Sequence, residues 1–237
     1  DKLAGLLGTS SGLNKSLQDM ASGVIKSDQV FKGFTTSITK NFNAMAIGLS
    51  VVEKMFEATT MLVNATDSAL VSFQKQTGAV STYGTKIMSL ERSLYTYGVT
   101  MAEAGETTAS LVTGIKNLDE MTPSTQEELM KTTAILNEMG VESEITAQNI
   151  NFLTNQMGLL PDEAASATRS MLALAKELKT PPQEMAAAFQ SAQPTLAAFG
   201  ANAGAVFQKL AKNAHNANME IDTLLSISEQ FDSFFFF

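Results

Sequence analysis

The residues of this chain that could do chemistry are few. Its one histidine, His215, sits in a polar stretch with Asn213, Asn216 and Asn218. An imidazole can serve as general base, nucleophile partner or metal ligand. Each role needs a companion, and no second histidine or cysteine stands at metal-ligand spacing. No Gly-x-Ser-x-Gly elbow offers a nucleophile for it. Adjacent carboxylates at Asp119–Glu120, Glu127–Glu128 and Asp162–Glu163 could form an acid/base pair of the glycosidase kind. All three fall at turns or first helical turns, where a carboxylate is stabilised by the positive end of the helix dipole, and that explanation suffices. No EF-hand spacing, Walker loop or Rossmann glycine pattern is present. The expectation is a non-enzymatic protein without catalytic residues, cofactor or metal.

Composition narrows the class. The chain has 237 residues, net charge −8, no cysteine, no tryptophan and 13 methionines. Without cysteine there is no disulfide framework and no thiolate metal site. Little aromatic content beside abundant Ala, Ser, Thr and Gln reads as helical. Methionines scattered along nearly every segment read as core filler rather than as a promiscuous groove. Residues 1–75 are nearly neutral, while the rest of the chain holds most of the acid, which argues against a direct nucleic-acid site because phosphate binding needs clustered Lys and Arg. An opening on Asp1 reads as a fragment or processed product. The run Phe234–Phe237 reads as an unreliable end, since four exposed phenylalanines would be sticky.

The elements that carry these residues begin with a long helix. The heptad series Leu3, Ser10, Leu17, Val24, Phe31, Ile38, Met45, Val52, Thr59, Thr66 and Phe73 and its companion Leu6, Leu13, Met20, Ser27, Phe34, Asn41, Gly48, Met55, Leu62 and Ala69 are apolar at 15 of 21 positions. Alternation by three and four is the a/d seam of a coiled coil, whose apolar stripe must meet another helix. Leu17, Val24, Phe31, Phe34, Ile38, Met45, Val52 and Met55 are the expected oligomer seam. A second series, Phe42, Leu49, Phe56, Val63 and Leu70, widens the face by one position, as near a stutter or where several helices meet. The plainer alternative is an amphipathic helix folded back on its own chain, favoured by Gly23, Gly33 and Gly48, each costing ~1 kcal/mol against alanine.

Beyond Thr77–Gly84, which reads as a hinge, a short helix is expected through Tyr97 with Ile87, Leu90, Leu94 and Tyr95 buried and Gly98 ending it. Helix starts follow near Thr100, Thr122, Ser143, Leu160, Thr180, Ala201 and Asn218. Thr100 with Glu103 forms a capping box. Thr180, Pro181 and Gln183 suggest an N-cap, a first-turn proline and a capping side chain, and Pro161 with Glu163 and Pro123 with Glu127 repeat the logic. Gly140, Gly158 and Gly200 stand at expected C-termini. Buried faces are expected from Leu129, Ile135, Leu136 and Met139, from Ile145, Ile150, Leu153 and Met157, from Met171, Leu172, Leu174 and Leu178, and from Met185, Phe189, Leu196 and Phe199. The expected fold class is all-α, a long coiled-coil-like helix followed by an array or bundle of short antiparallel helices. Its expected parts are 1–76 (rod), 77–99 (hinge and short helix), 100–233 (short helices) and 234–237 (the phenylalanine run).

These features together resemble phage tail tape measure proteins. The likeness lies in the Ala/Ser/Thr/Met-rich long helix with Phe31-Lys-Gly-Phe34, the Gly-punctuated helices after it, Val206-Phe-Gln-Lys-Leu-Ala-Lys212, and the stretch from Met219 to Phe234. The resemblance implies a structural virion protein in the tail tube lumen or at the tail tip, assembled in the bacterial cytoplasm. It implies a homotrimer, or a hexamer, that sets tail length and leaves with the genome. The partners implied are tail tube and tail tip or baseplate proteins, with host-membrane contact during ejection. Competing readings are a helical signalling or adaptor assembly protein, for which strict heptads and methylation pairs are missing, and a membrane-active helical protein using Ala44–Val52. That run is far shorter than the ~20 residues needed to cross a bilayer.

Overall fold

The computed structural model describes residues 49–79, 82–221, 223 and 224. Every regular element among them is helical. They pack as two compact units, one reaching Ala109 and one starting at Ser110. Of the expected seam, Leu17, Val24, Phe31, Phe34, Ile38 and Met45 lie outside the described residues, as does the run 234–237. Val52 and Met55 lie on a described helix, but their side chains do not belong to what is described.

In the first unit, α1 (Leu49–Thr77) runs 29 residues without a break. It carries no proline and no glycine, so nothing in its interior removes a hydrogen bond or adds backbone entropy. Val63, Thr66, Ala69 and Phe73 are its buried line, spaced by three and four as one helix face requires. Thr66 is tolerated there because its hydroxyl donates to the Leu62 carbonyl at 2.8 Å. Gly78 ends the helix at φ +70°, a conformation open to glycine at little cost.

Tyr83 then turns back under α1, its ring 5.7 Å from that of Phe73, with the Lys86 ammonium 4.6 Å from the Tyr83 ring centre. α2 (Gly84–Leu94) buries Ile87, Met88, Leu90 and Leu94. The expectation that Tyr95 joins this face is corrected, since it is 71 % exposed. The chain tightens into a 3-10 turn over Tyr95–Tyr97, and Tyr95 lies ~100° around the axis from Leu94. Gly98, at φ +101°, stops it. α3 (Met101–Gly114) opens on the expected box: Thr100 N–H donates to the Glu103 carboxylate at 2.7 Å and Glu103 N–H to the Thr100 hydroxyl at 3.3 Å. α3 meets α1 through Gly105, where an added Cβ would sit 3.4 Å from the Ala69 carbonyl oxygen.

The last turns of the sequence seam are therefore used inside this unit. Thr66, Ala69 and Phe73 are buried, while Leu62 stays 39 % exposed. Over this stretch the buried line of α1 faces Tyr83 and Gly105 of the same chain.

The second unit holds the end of α3 and then α4 (Pro123–Glu138), α5 (Ser143–Asn151), a π turn over Phe152–Gln156, α6 (Pro161–Leu178), α7 (Pro182–Leu196), a 3-10 stretch over Ala197–Asn202 and α8 (Ala203–Asn216). From α4 onward each helix packs on the next: α4 on α5, α5 on α6, α6 on α7, α7 on α8. Each also packs on the next but one: α4 on α6, α5 on α7, α6 on α8. Gly114 lets α3 lie close to α5, since a Cβ there would stand 2.8 Å from the Cβ of Ala147. The largest buried side chains meet as rings, Phe189 lying edge-on to Phe152 at 5.8 Å and to Phe207 at 5.0 Å.

The caps explain where these helices begin. Thr122 accepts from the Thr125 N–H at 3.2 Å, ahead of Pro123 at the first position. Glu127 is not part of that cap; it pairs instead with Lys131 at 2.6 Å, the favoured i, i+4 order. Glu163 does cap α6, accepting the Leu160 N–H at 2.9 Å. The expected Thr180 cap is also corrected. The N-cap is Pro181, it makes no side-chain cap bond, and Pro182 takes the first helical position. Gly200, at φ +52°, kinks the chain before α8, so that helix starts at Ala203 rather than Ala201. Met139 and Phe199, expected on buried faces, are exposed; Met139 is the C-cap of α4 and Phe199 lies in the 3-10 stretch after α7.

Candidate functional site

The residues singled out for chemistry do not converge. Asp119 and Glu120 are exposed on a 3-10 turn. Glu127 is held by Lys131 and Glu128 by Arg169 at 2.6 Å, while the same guanidinium donates to the Thr132 hydroxyl at 2.7 Å. Asp162 and Glu163 occupy the first turn of α6, where they offset the helix dipole. Among the described residues no group of three His, Asp or Glu side chains is disposed to hold a metal ion.

His215 is the exception in its placement. It stands in the last turn of α8. It also lines an open groove of about 440 Å³. Met185 and Leu178 are buried at the base of this groove, and Ala187, Ala188 and Ser191 of α7 face Ala211 of α8. Glu184, Glu220 and His215 put charge-capable groups at its edge. No hydrogen bond among the described residues joins His215 to Ser191 or to either carboxylate, so the groove sets apolar and polar side chains side by side in about equal share. A reacting carbonyl would need a coupled base and nucleophile.

The first unit has a smaller opening of about 320 Å³, lined by Leu62, Thr66, Met88, Glu91, Arg92 and Tyr95 among others. Burial raises the Glu91 carboxyl above its usual range, and the neighbouring Arg92 charge opposes that shift. A raised folded-state value means the folded form binds the proton more readily, so the stability Glu91 contributes falls as pH rises through the carboxylate range.

Sequence spacing does not reveal a row of amides that joins α5 to α7. Gln183, expected to cap its own helix, accepts instead from the Glu142 N–H at the start of α5, at 2.9 Å. Gln190 donates to Gln148. Asn149 donates to the Ala186 carbonyl at 3.1 Å and accepts from the Gln193 amide at 2.7 Å. Gln183, Gln190 and Gln193 share one face of α7, a spacing readable in the sequence, but their partners lie about forty residues earlier and carry no periodic signal. Asn149→Ala is expected to take this partner from the Gln193 amide and to remove the extra bond on the Ala186 carbonyl, which keeps its own helical bond, costing ~1 kcal/mol. A urea midpoint unchanged from the parent chain would show that water replaces the row at no cost.

Among the described residues no helix is long and apolar enough to cross a membrane. No protein family, no curated protein and no solved structure matches the chain.

Proposed function

We propose that the chain is a structural virion protein of the tail tape measure kind, a helical multimer of three copies, or six, that fills the tail tube or meets the tail tip and sets tail length. The observation that carries this reading is α1, an unbroken helix of 29 residues, or about 43 Å at ~1.5 Å per residue. A helix converts residue count into distance linearly, which is the property a ruler needs.

The exposed side of α1 supports self-association. Ala58, Met61, Ala65, Ser68 and Ser72 are all exposed and alternate by three and four. Met61 is 71 % exposed. This stripe runs one residue ahead of the buried line and carries no charge. Small side chains let neighbouring helices approach closely and keep a multimer narrow enough for a tube. In this reading the short helices of the second unit form a terminal region that contacts tail tip or baseplate proteins, and membrane contact is confined to ejection.

Deleting Leu17–Ser37 removes three heptads and rejoins the seam in register. At ~1.5 Å per residue the tail should shorten by ~32 Å in electron micrographs of the assembled particles. Normal tails of unchanged length would contradict the ruler.

A further inference from the structure

The groove at the end of the second unit lies where the packing order of that unit calls for another element. Each helix from α4 to α6 seats on the next and on the next but one, so whatever follows α8 should lie against α8 and α7. Those two helices supply facing walls of the groove through Ala188 and Ala211.

The chain enters the groove itself. After α8 it reverses at Asn218, φ +54°, with the Met219 N–H donating to the Ala214 carbonyl at 2.9 Å. This is the bonding of a left-handed helix stop. Met219 and Ile221 then line the groove, and the Leu224 N–H donates to the Glu220 carbonyl at 3.1 Å, the i to i−4 bond of a new helical turn.

From these observations we infer that the groove is the seat of the chain's own C-terminal stretch, residues 225–231. Read at ~100° per residue, the sequence sets Ile221, Leu224, Leu225 and Phe231 on one side. Asp222, Ser226, Glu229 and Gln230 fall on the other. The apolar side matches the alanine and methionine part of the lining, beside which stand Thr180, Glu184, Ser191 and His215. Covalent continuity favours this occupant over a second copy, because a tethered segment acts at an effective concentration in the millimolar range.

The chain has no cysteine, so two introduced thiols report unambiguously. Ser191 lies in the groove wall, and Ser228 falls on the apolar side of the stretch. Ser191→Cys with Ser228→Cys, treated with a short bis-maleimide, should crosslink within one chain at several times the yield of Ser191→Cys with Ser226→Cys, whose second thiol faces away. Crosslinking of a Ser191→Cys chain to a separate Ser228→Cys chain, with none inside the doubly substituted one, would assign the groove to a second copy and overturn the inference. Equal yields from the two pairs, or none from either, would overturn it too.

Discussion

Phe189→Ala is expected to lower the stability of the second unit by about 3–5 kcal/mol, the range for truncating a buried phenylalanine. Phe189 has no exposed surface and is the middle ring of three, in edge-on contact with Phe152 and Phe207. Its loss removes two aromatic pairs, each worth ~0.5–1.5 kcal/mol beyond area burial, and leaves a void between α7, α8 and the π turn. A domain is stable by only ~5–15 kcal/mol, so the urea midpoint should fall steeply. Phe199→Ala, at an exposed ring, should change stability by less than ~0.5 kcal/mol. If both variants unfold at the parent midpoint, the three-ring cluster does not hold the second unit together.

The second large effect concerns association. Phe31→Asp combined with Ile38→Asp places two carboxylates per chain at neighbouring a positions of the seam. In a multimer they would be buried and face their copies, and an unpaired buried charge costs several kcal/mol per ion. The multimer is expected to dissociate to monomers, read as a drop in sedimentation coefficient, while far-UV dichroism of the second unit persists. An unchanged oligomer mass would remove these positions from the interface. Ala65→Asp, on the exposed stripe of α1, then asks whether contact runs through that stripe instead.

Much of the helical punctuation was legible because it is local chemistry. Thr100 and Glu103 satisfy each other's backbone donors within four residues, and Pro123, Pro161 and the glycines at 98, 140 and 158 act through their own φ preferences. What failed were inferences about which neighbour covers a face. Periodicity marked Tyr95, Met139 and Phe199 as apolar members of helical stripes, but each stands just past the end of its α-helix, where the helical period no longer sets its direction. On α1 the seam positions Thr66, Ala69 and Phe73 carry the expected apolar spacing, yet α2 and α3 of the same chain take them, leaving the stripe one residue earlier exposed. Gln183 looked like a cap because capping glutamines stand at that position; its partner is the Glu142 N–H, 41 residues away. The groove beside His215 was not legible at all, since α6, α7 and α8 build it together.

The central claim is that long helices such as α1 bring copies of this chain together. Molar mass by light scattering, measured on the parent chain beside the Phe31→Asp, Ile38→Asp variant, tests it most directly. The account predicts a discrete trimer or hexamer with an elongated hydrodynamic radius for the parent and a monomer for the variant. A compact monomer for the parent would contradict it and leave the long helix folded entirely on its own chain.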